Sequence, residues 1–179
     1  MSKLIVVCGL QGSGKTTLAN CLANKLNIAC LHKDSLIDML SEINNVSNFE
    51  EYKKVQSEAM KLFFKLAEEQ ISSGVDFIIQ STFNFSEDAD LFRAWIEKYK
   101  LDFCCVVCVI DEKTRSERFK NRPDHFKKYF IDKKIETNSS QSLNKADFDY
   151  NEMPEKKIFV KTDHPVECLV EEILEKINF

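Results

Sequence analysis

Lys3-Leu4-Ile5-Val6-Val7-Cys8-Gly9-Leu10-Gln11-Gly12-Ser13-Gly14-Lys15-Thr16-Thr17 joins an apolar run, a glycine-rich turn and the start of an amphipathic segment. Residues 9–16 fit G-x-x-x-x-G-K-[ST], with a strand-like flank before and a helix-like flank after. Glycines at 9, 12 and 14 let successive N–H groups turn inward as an anion nest, reinforced by the N-terminus of the helix that follows. A nucleoside triphosphate in that nest meets Gly9, Gln11, Gly12, Ser13 and Gly14, with Lys15 at its β and γ phosphates. The Thr16 hydroxyl is the expected Mg²⁺ ligand, and Thr17 is placed to hold the α-phosphate. A chance glycine-rich turn is set aside because the motif is complete and both flanks are right.

Outward from this loop, short apolar runs alternate with longer amphipathic segments, the pattern of βα units around a mostly parallel sheet. Strands are expected at Lys3–Cys8, Ile28–Leu31, Asp76–Ser81, Asp102–Ile110 and Lys157–Lys161. The first helix is expected to open at Gly14–Lys15 and run to Leu26, with Leu18, Cys21, Leu22 and Leu26 on one face. Phe49 to Ser73 carries Val55, Ala59, Leu62, Phe63, Leu66 and Ile71 at helical spacing, with Gly74 as its stop. Ser35–Ile43, Ser86–Lys100 and Pro165–Ile177 complete the expected helices. The fold class is therefore α/β: a three-layer α/β/α P-loop NTPase with a five-stranded sheet. The charged segment Glu112–Ile135, helical in pattern, and the polar stretch Glu136–Lys145 read as a lid, about 112–145, within one domain spanning 1–179.

Composition sets bounds on partners. A chain of 179 residues is the size of one domain, and 44% hydrophobic with 30% charged residues is ordinary for a soluble protein. The net charge of −4 argues against an affinity built mainly on neutralising nucleic-acid phosphates, although a local basic groove is left open. No apolar run of membrane-spanning length occurs, and a cytoplasmic location is expected. Cys105-x-x-Cys108 could mark a redox or metal pair, but it lies inside the apolar run 103–110, so these thiols read as buried and reduced.

The carboxyl ends of the other strands should converge on the loop. The second strand ends at Leu31-His32-Lys33-Asp34, which makes Asp34 the candidate general base toward an attacking hydroxyl, a metal ligand, or the N-cap of the next helix. His32 and Lys33 are less specific, a solvated role for each weighing at least as much as a functional one. The third strand ends at Gln80-Ser81-Thr82-Phe83-Asn84, with a neutral Gln80 where many such proteins carry a metal-holding acid. Thr82 and Asn84 are substrate contacts or turn residues. Arg115, Arg118 and Arg122, at i, i+3 and i+7, fall on one helical face and form a candidate catalytic triad of guanidinium groups for the transferring phosphate; the alternative is a solvated face paired to glutamates.

With these residues in place the chain resembles small P-loop kinases of the group that includes polynucleotide 5′-kinases, zeta-toxin-like kinases and chloramphenicol phosphotransferases. The resemblance rests on residues 9–16, on Asp34, on Ile78-Ile79-Gln80-Ser81-Thr82-Phe83-Asn84 with Arg93 beyond it, and on Glu117-Arg118-Phe119-Lys120-Asn121-Arg122-Pro123-Asp124-His125-Phe126. It implies that ATP and Mg²⁺ are the cofactors, that Asp34 activates the acceptor hydroxyl, and that Lys15 and the lid arginines, Arg118 among them, grip the phosphates. It also implies that Arg93 orients substrate or the third-strand turn, and that Thr162-Asp163-His164 approaches the adenine. Polynucleotide kinases of the group usually carry an arginine about four residues after the acid, where this chain has Asp38. With Gln80 and the acidic charge balance, that favours a small hydroxylated molecule or nucleoside over a polynucleotide 5′-end as acceptor. A nucleotide-dependent switch acting on a partner protein is the reading of another class.

Overall fold

A computed structural model describes residues 2–121 and 149–177. Strands β1 (Lys3–Cys8), β2 (Ala29–His32), β3 (Phe77–Gln80), β4 (Asp102–Val109) and β5 (Lys156–Lys161) form one parallel sheet in the order β2-β3-β1-β4-β5. Helices α1 (Lys15–Leu26), α2 (Lys33–Ile43), α3 (Phe49–Ser72), α4 (Ser86–Tyr99) and α5 (Glu112–Lys120) occupy the connections, and α6 (Val166–Ile177) follows β5. A 3-10 turn at Tyr150–Glu152 leads into β5. Among the described residues no helix is long and apolar enough to cross a membrane.

The continuous apolar runs of β1 and β4 follow from burial on both faces. Leu4, Val6 and Cys8 of β1 face one core with Phe63, Ala67 and Ile71 of α3 and Phe92 and Trp95 of α4. Ile5 and Val7 face the other, with Leu18 and Leu22 of α1 and Leu169 and Ile173 of α6. The period of two also separates the cysteines: Cys105 points into the first core and Cys104 and Cys108 into the second, so Cys105 and Cys108 form no pair, and all seven thiols are free.

The helix ends follow local rules. Asn48 caps α3 by accepting from the Glu51 N–H at 3.0 Å, and Gly74, at φ 73°, carries the chain out of α3. Of the stripe expected on α3, Val55, Ala59, Phe63 and Ile71 are buried, while Leu62 and Leu66 are half-buried and Tyr52 and Ala67 join the core. One boundary differs in a way that matters. His32 stays in the β-ladder opposite Gln80, so α2 opens at Lys33, with His32 as an extended N-cap (φ −104°, ψ 121°) that makes no side-chain cap. Asp34 therefore lies inside the first helical turn and does not cap a helix beginning at Ser35. Of the expected lid, α5 is described as far as its cap at Asn121; Arg122 and the rest of 122–145 lie outside the described residues.

Candidate functional site

The loop between β1 and α1 is held by contacts that leave no room for side chains at two of its glycines. A Cβ on Gly9 (φ 138°) would stand 2.5 Å from the Cys108 carbonyl oxygen, and one on Gly12 (φ 82°) would stand 2.6 Å from the Arg115 carbonyl oxygen. The end of β4 and the backbone of α5 thus press directly on the loop. Gly14, left-handed at φ 83°, is the N-cap of α1, and α1 has no acidic residue in its first turn. Its N-terminal amides and dipole are accordingly open to an anion. Lys15 is 5% exposed and donates from Nζ to the Leu10 carbonyl at 3.1 Å. Burial pushes the neighbouring Cys108 thiol up to about 12 and raises Cys8 well above its ordinary value. Both thiols stay neutral at physiological pH and do not quench the ammonium beside them. Within the loop, the buried hydroxyl Oγ of Ser13 has no partner among the described residues.

Arg115 and Arg118, the two described members of the expected triad, take different partners. Arg115 is 3% exposed, and its guanidinium donates from Nε and a terminal nitrogen to the two Glu112 carboxylate oxygens (2.9 and 2.7 Å) and from the other nitrogen to the Gln11 carbonyl (2.9 Å). That pairing holds the Glu112 carboxyl below its usual value. Arg115 is a brace beneath the loop, with its donors aimed at Gln11 and Glu112 and not at a phosphate position. Arg118, one turn on, reaches the opening of α1: one terminal nitrogen donates to the Thr162 carbonyl at 3.0 Å and the other lies 3.5 Å from where a Gly14 Cβ would stand. Thr162, at the end of β5, is buried and donates from Oγ1 to the Ser13 carbonyl at 2.7 Å, tying that strand to the loop.

Gly12, Gly14, Lys15, Thr16, Thr17, Arg118 and Thr162 line a cavity of about 330 Å³, which His164, Val166 and Leu169 complete on the β5–α6 side. A second cavity, about 300 Å³, opens on the β2–β3 side, lined by Lys33, Lys53, Gln56, Ser57, Met60, Ser81, Thr82, Phe83, Phe85 and Asp88. Since β1 lies between β3 and β4, its loop sits between the two cavities. The second cavity is joined to the loop through Thr82, whose carbonyl accepts from the Gly9 N–H (3.4 Å) and the Tyr150 hydroxyl (2.9 Å).

Asp34 is 60% exposed and is not itself in the lining of this second cavity; it pairs at 3.4 Å with Lys33, which is. Thr82 lines the cavity, whereas Asn84 is half-buried and lines neither. Arg93 is not brought to either cavity: it pairs with Asp90 and donates to the Glu152 carbonyl, fastening α4 to the 3-10 turn. Gln80 is 2% exposed and stands 3.0 Å from His32 Nδ1, while His32 Nε2 meets Asn20 at 2.8 Å. A neutral imidazole donates from one nitrogen and accepts at the other, so one amide turns its NH₂ toward the ring; a protonated ring donates to both. His32 thus links β2, β3 and α1, and its partnership with Gln80 was foreshadowed only by their standing last in adjacent strands. The cover over Lys33 and the place of Asp88 are the other features the sequence did not mark. Asp88 is buried in the cavity wall, accepts from the Phe85 N–H at 3.3 Å, and has its carboxyl pushed up by burial. Among the described residues no cluster of three or more His, Cys, Asp or Glu forms a ready metal cage.

Solved structures place this architecture among known proteins. A protein of Chloroflexus aurantiacus j-10-fl assigned as a kinase superposes with a TM-score of 0.80 at 20% identity, covering 97% of each chain. A sugar kinase from Janibacter sp. HTCC2649 gives a TM-score of 0.67 at 20% identity, over 99% of this chain and 95% of that one. A gluconokinase from Sinorhizobium meliloti 1021 gives 0.60 at 16% identity, over 98% and 91%. These likenesses are of fold. No curated protein matches the chain significantly. The family model described as an AAA domain matches residues 4–140, more than half of the sequence and the whole of the loop and both cavities' strand ends up to β4, and on that match the chain belongs to the AAA domain family.

Proposed function

We propose that this protein is an ATP-dependent kinase that transfers the γ-phosphoryl group to a hydroxyl of a small molecule. The observation that carries the reading is the pair of cavities on opposite sides of one phosphate loop, the first lined by Lys15 and the second joined to the loop where the Thr82 carbonyl meets the Gly9 N–H. A switch or plain ATPase needs only the first. The fold neighbours named as a sugar kinase and a gluconokinase support the same reading.

The residues present suit a triphosphate with Mg²⁺: a glycine cradle that a Cβ would fill, an orphaned Ser13 hydroxyl, a helix N-terminus without acid, and a lysine. ATP would supply the phosphoryl group and Mg²⁺ would offset its negative charge. The amides of Gly12 and Gly14 hold the phosphate chain, the Ser13 N–H being engaged by the Leu10 carbonyl at 3.1 Å, while Lys15 draws charge at the end of the chain and Thr17 contacts the first phosphate. Arg118 closes over the start of α1, and Val166 and Leu169 offer the base an apolar wall beside Thr162 and His164. The Thr16 hydroxyl and Asp34 are the protein groups suited to the ion, which ordinarily keeps most of its ligands as water and phosphate oxygens. Asp34 accepts the proton of the acceptor hydroxyl. Gln80, neutral and held by His32, adds no charge.

A transfer screen with ATP·Mg²⁺ against nucleosides, sugars, antibiotics and 5′-hydroxyl oligonucleotides tests this. Lys15→Ala is expected to weaken triphosphate binding, and Asp34→Asn to spare binding while slowing transfer by about 10²–10⁴-fold. Full transfer by Asp34→Asn removes it as the base; calorimetry showing no association of ATP in magnesium overturns the kinase reading.

A further inference from the structure

The second cavity is charged in a specific way. Lys33 is only 14% exposed, yet its ion-pair partner among the described residues is Asp34, at a loose 3.4 Å and 60% exposed. A pair whose acid is turned toward solvent contributes little, which leaves the Lys33 ammonium available to an anion in the cavity. Lys53 lines the same cavity from α3, with Glu50 3.7 Å away and its Nζ 4.4 Å from the Phe49 ring centroid. Asp88 is the carboxylate in the lining, and one of its oxygens is committed to the Phe85 N–H. Within the lining itself two ammonium groups meet one carboxylate, while their partners Asp34 and Glu50, 60% and 72% exposed, pair with them from the solvent side; a monoanion suits that lining better than a dianion, which would crowd more charge against Asp88 and Asp34.

The rest of the wall has a different character. Phe83 and Met60 form an apolar floor, and Phe85 projects at the mouth with 64% of its surface exposed, a large ring that nothing among the described residues covers. Ser57, Ser81 and Thr82 supply neutral hydroxyls.

We infer that the acceptor is a small hydroxy acid with an apolar body, its carboxylate seated between Lys33 and Lys53, its body on Met60, Phe83 and Phe85, and its hydroxyl turned toward Asp34. This rests on the kinase reading. The probes are 4-(hydroxymethyl)benzoate, its neutral counterpart benzyl alcohol, and the dianion 4-(hydroxymethyl)phenyl phosphate, titrated calorimetrically into the full chain in ATP-free buffer. The carboxylate is expected to bind about tenfold tighter than the alcohol, as a charge-assisted contact to a lysine in the cavity wall implies, and tighter than the dianion. Lys33→Met is expected to erase that preference and Lys53→Met to reduce it, while Lys61→Met, on an exposed face of α3, leaves it intact and ATP·Mg²⁺ affinity stays unchanged in all three.

Equal binding of the alcohol, no measurable binding of the carboxylate, preference for the dianion, or a carboxylate preference that survives Lys33→Met each overturns the inference. Loss of ATP affinity in Lys33→Met also overturns it, by moving Lys33 to the phosphate side. If wild-type protein binds ATP·Mg²⁺ and fails these tests, the acceptor class alone is wrong. If it does not bind ATP·Mg²⁺, the kinase reading falls first.

Discussion

Arg115→Met distinguishes a brace from a catalytic arginine. The guanidinium is almost wholly buried and makes three hydrogen bonds, two to an exposed carboxylate and one to a loop carbonyl. Methionine replaces the stem and keeps the packing. The Glu112 carboxylate is 68% exposed and regains water, so that pair contributes at most about 1 kcal/mol. The Gln11 carbonyl loses a charged donor, a further loss of roughly 1–2 kcal/mol. A total near 2 kcal/mol corresponds to a fall in melting temperature of about 4–8 °C for a chain of this length. The loss is expected in the nucleotide-free protein, by scanning calorimetry, with ATP turnover at saturating nucleotide lowered by less than about tenfold. Arg118→Met should do the reverse: its side chain lies at the exposed edge of the first cavity, so thermal stability is kept and ATP affinity falls about tenfold. An Arg115→Met protein that melts within about 1 °C of wild type while losing the 10³-fold or more in turnover that an in-cis arginine supplies would refute the brace.

Three further outcomes follow from particular contacts. Gly12→Ala places a Cβ 2.6 Å from the Arg115 carbonyl at φ 82°, so the chain should fold with a stability loss of about 1–3 kcal/mol and bind ATP at least about tenfold more weakly, read by thermal melting and calorimetry. The thiols of Cys30, Cys104 and Cys108 are pushed by burial from 9.0 to about 12. Since the folded state holds those protons more tightly, their contribution is complete below pH 9 and is lost as pH rises from 9 toward 12, at up to about 1.4 kcal/mol per pH unit for each thiol; denaturant titrations at pH 8 and 10.5 should show the drop, and Cys→Ser variants at these positions should flatten it. Phe83 is buried at φ 43°, so Phe83→Ala should cost about 3–5 kcal/mol, and Phe83→Gly should be the more stable of the two by about 1 kcal/mol despite the usual penalty for glycine.

The sequence was most legible where its signal is local. The loop from Gly9 to Thr16, the strand before it and the helix after it are contiguous, and each is encoded by a pattern a few residues long. The stop at Gly74 and the opposite facing of Cys105 and Cys108 are likewise properties of neighbouring residues. What spacing could not give is which helical face meets which element. Arg115, Arg118 and Arg122 share a repeat, but the carbonyl that claims Arg115 belongs to Gln11, 104 positions away, and an i, i+3 pair with Glu112 was available on the same helix. Arg93 is drawn off by Glu152, 59 positions distant. His32 looked solvated because its partners, Asn20 and Gln80, come from two other elements. Lys33 was marked by its place after the second strand but not by its burial, since a lysine's burial is decided by the helices that fold over it.

Departures from local preference gather at one edge of the sheet. Among the described non-glycine residues at positive φ, Asn27 and Lys100 are helix C-caps and Asn45 and Glu155 are exposed turn residues, positions that tolerate the left-handed region. Phe83 is different: a bulky ring in that region, held by Phe63, Phe64 and Phe92 at centroid distances of 6.0, 6.4 and 5.2 Å. Burial of the ring offsets a backbone cost of order 1–3 kcal/mol, and what the conformation secures is the turn that aims the Thr82 carbonyl at Gly9 and Tyr150 while lining the second cavity. The orphaned Ser13 hydroxyl and the largely covered Lys33 side chain lie at the same edge, one in the loop and one across the cavity. A core optimised for stability alone would place none of the three there. Their concentration between the phosphate loop and the second cavity is what a site shaped for two ligands requires, with each cost offset by packing elsewhere or by a ligand when it binds.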